Sequence, residues 1–377
     1  MNPPVRALQD IVIIGDGLRA ALPAAYLAAR CRSSGSRIHV VPTNESGADR
    51  GSVFARPNIR HLHQLLKIPE KHIFEHAQGQ WAYAVDIQDE SQKITTPFGS
   101  FGGPYKGVAF PHLHTRLAQN QPLPSLSHFN LNLRLHEMGD RAPFFPKANY
   151  GYIFPRASYT GMLRHYAKAN GASFRDASFI EVLKDKRSGR VEAVKTSGDD
   201  LYANCIIDVT FSRKSKMAKQ AGWIENCLYV DAKNDWPGME LFRLQAAMER
   251  LSAFMPDNRF NVYELTEYNR LTRLEEDRIA DMRAFVAEGE GAGKSRPALQ
   301  RKIDVFCNRG RIPIEDYEVF TSPEWRAVLM SKGLVPKYYD RLADAMSDDE
   351  LRDYIEASRQ DIDVKLRSAQ ALGRRSQ

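Results

Sequence analysis

A short turn near the start of the chain has residue types and spacing suited to binding the phosphates of a dinucleotide. It reads Gly-Asp-Gly-Leu-Arg-Ala over residues 15–20. The first glycine allows a sharp reversal, and the second lets backbone N–H groups approach a pyrophosphate at the positive end of the following helix. Alanine in the last position is an accepted small residue for close helix packing. We therefore predict a pyrophosphate turn formed by Gly15, Gly17, Leu18, Arg19 and Ala20.

The segments on both sides of this turn are those that a dinucleotide fold requires. Four consecutive β-branched residues, 11–14, precede the turn, an alanine-rich run continues to Arg30, and a second β-branched segment follows at 37–41. An uninterrupted β-branched run is typical of a buried parallel strand. The order strand, turn, helix, strand predicts a βαβ unit.

Three local features depart from the usual dinucleotide pattern. Asp16 adds a negative charge beside the expected pyrophosphate, and Pro23 removes an N–H soon after the helix starts. Pro42 and Thr43 occupy the strand end where an acidic residue usually binds the ribose, and Glu45 follows slightly later. The sequence predicts the fold, and it leaves open whether a nucleotide is still bound.

Other residues that could bind metals have unsuitable spacing. His61 and His63, and likewise His112 and His114, are two residues apart, whereas a metal pair on a helix needs a spacing of about three or four. The cysteines form no Cys-x-x-Cys pair and have no histidines at ligand spacing; they are Cys31, Cys205, Cys227 and Cys307. We expect reduced buried thiols and no metal site.

Composition indicates an ordinary globular protein. With 377 residues and 43% hydrophobic residues, the chain can form about two structural units. The net charge of +7, from 53 basic and 46 acidic residues, is spread along the chain, which suits an anionic ligand better than nucleic acid. The sequence contains neither an apolar run of membrane-spanning length nor a signal-peptide pattern, so we expect no membrane association and a cytoplasmic location.

The remaining chain divides into recognisable segments. Alternating apolar and polar residues at 81–117, broken by glycine and proline, predict strands and loops, and the turn-rich stretch 97–104 could line a pocket. A helix, a hairpin and a buried strand ending near residue 210 return the chain to the nucleotide sheet. Apolar residues at helical spacing predict helices in the last third, including one that opens with a capping box at 347–350.

This succession of segments resembles the flavin-dependent tryptophan halogenase family. The matching stretches are IVIIGDGLRAAL, RPNIRHLHQLLKIPE, YGYIFPRASYTGMLRHYAKANGASF and IIDVTFSR, followed by the segments 222–258 and 304–356. The resemblance implies an α/β fold: a Rossmann-like, glutathione-reductase-like FAD-binding domain with a reduced substrate module and a C-terminal helical region. The implied divisions are a first part of the FAD domain at 1–75, an inserted strand and loop segment on the substrate side at 76–148, a second part of the FAD domain at 149–260 and the helical region at 261–377.

The family's chemistry depends on groups that this sequence largely lacks. In the family, reduced FAD and oxygen convert halide to hypohalous acid, which reaches a lysine beside an indole, and a glutamate polarises the attack. The lysine position corresponds here to Ala82, within Gly-Gln-Trp-Ala at 79–82. The family's glutamate and halide-binding segment corresponds to a shortened stretch, 235–240, in which Glu240 could stand near the lost glutamate.

Two further family segments are altered. The flavin-covering segment corresponds to 50–55, with one glycine out of register. Between Ser215 and Gly222 the sequence omits the module that carries the family's Trp-x-Trp-x-Ile-Pro signature. The resemblance further implies that the backbone near Phe179 lies close to the adenine, and that a flavin reductase supplies reduced FAD.

Three functional hypotheses follow. The first is a halogenase-like flavoprotein, an FAD-dependent oxidoreductase by family, that is unable to halogenate because the lysine position is Ala82 and the halide-binding loop is altered. The second is a non-catalytic pseudoenzyme with a binding or scaffolding role. The third is an FAD monooxygenase acting on an aromatic compound. The sequence assigns no catalytic residue and leaves open whether the protein is an enzyme.

Overall fold

The computed structural model describes residues 8–45, 49–89, 92–139, 144–145, 147–210, 221–232 and 236–373. The chain forms two compact units, one made of residues 1–80 and 151–273 and the other of residues 81–150 and 274–377. The strands are β1 (Asp10–Ile14), β2 (Arg37–Val41), β3 (Ser52–Ala55), β4 (Gln80–Ala82), β5 (Ala84–Gln88), β6 (Lys93–Pro97), β7 (Gly151–Pro155), β8 (Ser173–Phe174), β9 (Phe179–Lys184), β10 (Val191–Thr196), β11 (Leu201–Tyr202), β12 (Cys205–Asp208), β13 (Gly222–Ile224) and β14 (Cys227–Tyr229). The helices are α1 (Gly17–Arg30), α2 (Ile59–Leu65), α3 (Glu70–Glu75), α4 (Phe110–Ala118), α5 (Leu131–His136), α6 (Arg156–Ala169), α7 (Met239–Ala253), α8 (Val262–Glu288), α9 (Pro297–Arg309), α10 (Ser322–Ser331) and α11 (Asp348–Gly373).

A six-stranded sheet forms the centre of the first unit. Its strand order is β13-β14-β12-β1-β2-β8. All neighbouring strands are parallel except β13 and β14, which are antiparallel. In β1 every residue is buried, as expected for the β-branched run. This Rossmann-like α/β arrangement confirms the fold class predicted from the sequence.

Helix α1 closes the βαβ unit and packs against α6 and α7. Its buried residues are mostly alanine and leucine, and Pro23 is accommodated inside the helix without a break. The small side chains allow the helix to lie close to its neighbours. The first turn of α1 therefore lies directly after the end of β1, in a closely packed part of the first unit.

A smaller antiparallel sheet, β11-β10-β9, packs against the main sheet. Phe179, Val182 and Leu201 contact a buried cluster that includes Val12 and Ile14 of β1. The hairpin that the sequence predicts before the strand ending near residue 210 is thus present as β9 and β10, and it adds to the core beside the first strand.

The second unit combines the β5–β6 hairpin with helices. The segment 76–148, expected to contain strands and loops, also contains helices α4 and α5. The helical spacing of Phe110, Leu113 and Leu117, all buried, explains α4, although the surrounding glycine and proline residues obscure it in the sequence. At the start of α11 the Glu350 N–H donates to the Ser347 hydroxyl, as the capping box predicts.

The apolar residues of the described helices are too few and too dispersed for any of these helices to cross a membrane.

Candidate dinucleotide site

The first glycine of the turn is packed against the end of β12. Gly15 donates its N–H to the Val41 carbonyl at 3.1 Å and has a φ of +153°. A β-carbon on Gly15 would lie 2.4 Å from Val209 Cγ2 and 3.9 Å from the Ala20 β-carbon. Since real β-carbons do not approach a methyl group this closely, the arrangement requires glycine here. Close packing among Gly15, Ala20 and Val209 fits the turn of a dinucleotide fold.

The turn leads directly into the positive end of α1. Gly17, with φ of +53°, is the first residue of the helix, and the first turn contains no acidic residue. The initial N–H groups of a helix have no partner within it, so those of Gly17, Leu18 and Arg19 are available to an anion. The structure thus brings the five predicted turn residues together at one helix end.

The Asp16 carboxylate is directed to the loop after β2. It accepts hydrogen bonds from the backbone N–H groups of Thr43 at 3.1 Å, Asn44 at 3.2 Å and Glu45 at 3.2 Å, and from the Thr43 hydroxyl. Four donors therefore offset its negative charge. This arrangement weakens the repulsion of a phosphate that the sequence alone led us to expect.

Backbone polar groups of the loop after β2 are already hydrogen-bonded within the protein. The Pro42 carbonyl accepts the Phe179 N–H at 2.8 Å, and the next three N–H groups are taken by Asp16. The Glu45 side chain is exposed. Phe179, half-buried at the start of β9, is therefore held beside the end of β2, at the same edge of the sheet as the turn.

The end of β12 contributes a second carboxyl group close to the turn. Asp208 accepts hydrogen bonds from the Thr210 N–H at 2.9 Å and from its hydroxyl at 2.6 Å. Burial raises the pKa of Asp208 above its usual range. This Asp-x-Thr turn precedes residues 211–220, which include Ser215 and lie outside the described part of the chain.

A buried ion-pair cluster, which sequence reasoning missed, lies next to the turn. Arg19 donates its Nε–H to Glu240 Oε1 at 3.1 Å, and Arg156 donates to both oxygens of Glu240 at 3.0 and 2.5 Å. The Glu240 carboxylate raises the pKa of Arg156. Glu240 is only 1% exposed, so it is a structural ion-pair partner rather than a carboxylate open to a substrate. Asp235, from the corresponding family segment, lies outside the described residues.

Position 82, in the second unit, offers no functional group. Ala82 is the last residue of β4 and is 4% exposed. The adjacent Tyr83 is also buried, accepts the Phe145 N–H at 3.1 Å, and has its pKa raised to about 12 by burial. Trp81 stacks on Phe144 with a ring separation of 4.5 Å. Ala82 is therefore a buried residue without a polar side chain.

The turn-rich stretch 97–104 borders a cavity of about 740 Å³ in the second unit. Phe98, Gly102 and Phe129 form one part of its lining, and Tyr354 and Ser358 of α11 form another. The Tyr354 hydroxyl donates to the Gly103 carbonyl at 2.9 Å, which ties the stretch to α11. The volume of this cavity lies in the range typical of small-molecule sites.

His63 and three of the cysteines are buried in the first unit. His63 is buried and its Nε2 lies 3.0 Å from the Tyr159 hydroxyl, while His61 is exposed. Desolvation lowers the pKa of His63 to about 3. The thiols of Cys31, Cys205 and Cys227 are buried. Within the described ranges, no cluster of three or more His, Cys, Asp or Glu residues could hold a metal.

Comparison with known proteins identifies the fold. The chain is similar to Xcc4156, a flavin-dependent halogenase from Xanthomonas campestris, with a TM-score of 0.85 and 18% identity over 98% of both chains. It is also similar to BrvH, a flavin-dependent halogenase from Brevundimonas sp. BAL3, with a TM-score of 0.80 and 18% identity over 96% of this chain and 97% of that one. A tryptophan 6-halogenase (SttH) from Streptomyces toxytricini gives a TM-score of 0.76 and 15% identity over 98% of this chain and all of the other. Identities at this level establish a shared fold and no more.

Sequence comparisons settle the family. No curated protein matches the sequence. The profile of the tryptophan halogenase family, in contrast, matches residues 10–227 and 238–348, which together are most of the chain. The chain therefore belongs to the tryptophan halogenase family.

Proposed function

We propose that this protein is a halogenase-like flavoprotein that binds FAD through the turn at residues 15–20 and does not halogenate by the lysine-dependent route. The close packing of Gly15 against Val209 is the observation that carries the cofactor assignment, because a glycine turn of this shape at the start of a helix presents backbone N–H groups to a diphosphate. The absence of an amine at position 82 carries the second part of the proposal.

The residues present fit the diphosphate of FAD. The backbone N–H groups of Gly17, Leu18 and Arg19 would bind it, and the backbone near Phe179 would lie beside the adenine. Bound FAD would supply redox chemistry and, when reduced, reactivity toward oxygen. With no strand-end acid bound to the ribose, we expect weaker FAD binding than in a typical Rossmann site.

Halogenation requires groups that this chain does not place at the family positions. Alanine at position 82 has neither a nucleophile nor a hydrogen-bond donor. Both oxygens of the Glu240 carboxylate are occupied by arginine donors in a buried cluster, so Glu240 does not substitute for the family's glutamate.

Two other functions have support in specific observations. A pseudoenzyme with a binding or scaffolding role is favoured by the loop after β2, whose N–H groups are committed to Asp16. An FAD monooxygenase acting on an aromatic compound would use the cavity of about 740 Å³, which has the volume of a small-molecule site and is lined by Phe98 and Phe129 together with charged residues such as Asp361 and Lys365. For both enzymatic functions, we propose that a separate flavin reductase supplies reduced FAD and that the protein is cytoplasmic. We propose no nucleic-acid or membrane partner.

The decisive experiment is a visible absorption spectrum of the purified protein, followed by fluorescence titration with oxidised and reduced FAD. We expect saturable binding by the wild-type protein. Gly15→Ala should lose this binding, because its β-carbon would contact Val209. Gly161→Ala is the matched control, since a β-carbon there meets no atom within 4 Å.

The outcomes separate the three functions. Binding that survives Gly15→Ala would contradict the assigned turn. No binding of either FAD form would favour the pseudoenzyme. Oxygen consumption that depends on reduced FAD and increases with an aromatic compound, without halide, would favour the monooxygenase.

A further inference from the structure

A buried cluster joins the first turns of three helices around the Glu240 carboxylate. Arg19 is the third residue of α1, Arg156 is the first residue of α6, and Glu240 is the second residue of α7. The two guanidinium groups contact the carboxylate at 2.5 to 3.1 Å. The side chains of Glu240 and Arg156 are 1% and 10% exposed, so the cluster is largely removed from water.

Within this cluster, Glu240 and the nearby Asp49 carboxylate both interact with Arg156, whereas Arg19 is only partly engaged. Two arginines face one glutamate, and Arg156 alone binds both Glu240 oxygens. Arg19 uses only its Nε–H for Glu240, and its two Nη groups donate to no residue in the described part of the chain. Its side chain is 30% exposed, whereas Glu240 is buried. The guanidinium of Arg19 is thus fixed at one end and free to bind a ligand at the other.

The position of Arg19 indicates which ligand it would meet. It stands in the turn that the family resemblance and the Gly15 packing assign to a diphosphate. A guanidinium group binds phosphate oxygens through paired N–H donors, and a fixed guanidinium loses less side-chain entropy on binding than a mobile one. The helix ends of α1, α6 and α7 add partial positive charge at the same place.

We propose that Arg19 binds the diphosphate of FAD through its Nη groups and that Glu240, held by Arg156, is the positioning residue that fixes Arg19 for this contact. This inference rests on the proposed FAD site and adds side chains to a site otherwise made of backbone groups. It also explains why a buried glutamate is paired with two arginines: Arg156 offsets the charge of Glu240, and the charge of Arg19 remains for the ligand.

The test measures FAD binding by fluorescence over a range of salt concentrations. Arg19→Met should weaken FAD binding about tenfold or more at low salt, since a charge-assisted hydrogen bond contributes about 1.5 to 3 kcal/mol. The salt dependence of the dissociation constant should also become less steep, because one cation is lost. Arg32→Met is the control, an exposed arginine just after α1, and should leave both quantities unchanged.

A second pair of variants distinguishes positioning from a purely structural role. Glu240→Gln keeps the size of the side chain and removes its charge, and it should weaken FAD binding in the wild-type background but not in the Arg19→Met background. If Glu240→Gln does not fold, Glu240→Asp provides the same test, because aspartate keeps the charge but its shorter side chain cannot hold Arg19 in the same position. It should weaken FAD binding in the wild-type background but not in the Arg19→Met background.

The outcomes of these variant experiments can be told apart from those of the FAD titration that tests the proposed function. FAD binding by the wild-type protein that is unaffected by Arg19→Met would overturn this inference and leave the proposed FAD site intact. Equal losses from Glu240→Gln with and without Arg19 would show that Glu240 supports the fold and does not act through Arg19. If the wild-type protein binds no FAD, both proposals are wrong.

Discussion

The Asp16 carboxylate accepts a hydrogen bond from the Thr43 backbone N–H at 3.1 Å, which joins the glycine turn to the loop after β2. The N–H groups of Asn44 and Glu45 donate to the same carboxylate at 3.2 Å. An acid inside the turn thereby organises the loop that carries a ribose-binding acid in other dinucleotide folds. These hydrogen bonds connect the two departures from the dinucleotide pattern: the acid at position 16 binds the loop in which the strand-end acid is missing.

Asp16→Ala should loosen the loop after β2 and destabilise the first unit. Removing the carboxylate leaves the backbone N–H groups of this partly exposed loop to water, and we expect a loss of about 0.5 to 1.5 kcal/mol in the free energy of unfolding. Hydrogen exchange at residues 43–45 should become faster, and urea unfolding should show the lower stability. Glu192→Ala, at an exposed position on β10, should change neither. Unchanged exchange at 43–45 in Asp16→Ala would show that these bonds do not hold the loop.

Ala82→Lys should not restore halogenation. The new amine would enter a position that is 4% exposed, and the Glu240 carboxylate would remain bound to its arginines. We expect no brominated product when the variant is supplied with reduced FAD, bromide and tryptophan, as measured by mass spectrometry. The variant should also be less stable by about 1 to 3 kcal/mol, because a longer side chain must be accommodated in a packed region.

Ala82→Met provides the comparison for this prediction. Methionine fills a similar volume without an amine, so both variants should lose stability while neither gains activity. A brominated product from Ala82→Lys alone would show that the other groups needed for halogenation are intact.

His63 should make the protein less stable in acid. Burial lowers the pKa of folded His63 to about 3, below its usual value near 6.5. Between about pH 6.5 and 3, His63 is therefore protonated in the unfolded state and neutral in the folded state. The free energy of unfolding falls as the pH drops through this range. The slope for one group is at most about 1.4 kcal/mol per pH unit.

His63→Gln tests this dependence, because glutamine can still bond to the Tyr159 hydroxyl but does not titrate. The free energy of unfolding of both proteins is measured by urea titration between pH 7 and 4. The advantage of the wild type over the variant should shrink as the pH falls. A constant difference would mean that His63 does not remain neutral in the folded protein. His39, His112 and His114, whose pKa values are also lowered by burial, are present in both proteins and cancel.

The sequence predicts those parts of the fold that depend on residues close to one another along the chain. The β-branched run, the glycine turn and the helix of the βαβ unit are each specified within a few positions, and the structure shows them as β1, α1 and β2. The same holds for α11, whose capping residue and apolar stripe are local signals. The family resemblance, which depends on the order of segments along the chain, is confirmed by the matched residues 10–227 and 238–348.

The parts that escaped prediction depend on residues far apart in the chain. Glu240 is 221 positions from Arg19 and 84 positions from Arg156, so no local pattern reveals the cluster. Likewise, the sequence marks Asp16 as an unfavourable charge, because its donors at 43–45 belong to a different loop. Helix α4 was missed for another reason: its nine residues are preceded by a stretch rich in glycine and proline.

Lys302→Met should strongly destabilise the second unit. Lys302 is 1% exposed, donates to Glu318 Oε2 at 2.5 Å and to the Pro313 carbonyl at 3.0 Å, and lies 4.7 Å from the centre of the Trp325 ring. Its removal leaves the Glu318 carboxylate buried without a cation, which costs about 3 to 5 kcal/mol. Urea unfolding followed by tryptophan fluorescence should report the change through Trp325.

Two comparisons identify the unpaired charge as the cause of this loss. Lys302→Met combined with Glu318→Gln should recover part of the stability, because the amide is uncharged and its oxygen can still accept the Val319 and Phe320 N–H groups. Lys71→Met removes an exposed partner of Glu75 and should have little effect, because water screens such pairs. If the double variant is no more stable than Lys302→Met alone, the loss comes from packing against Trp325 rather than from the buried carboxylate.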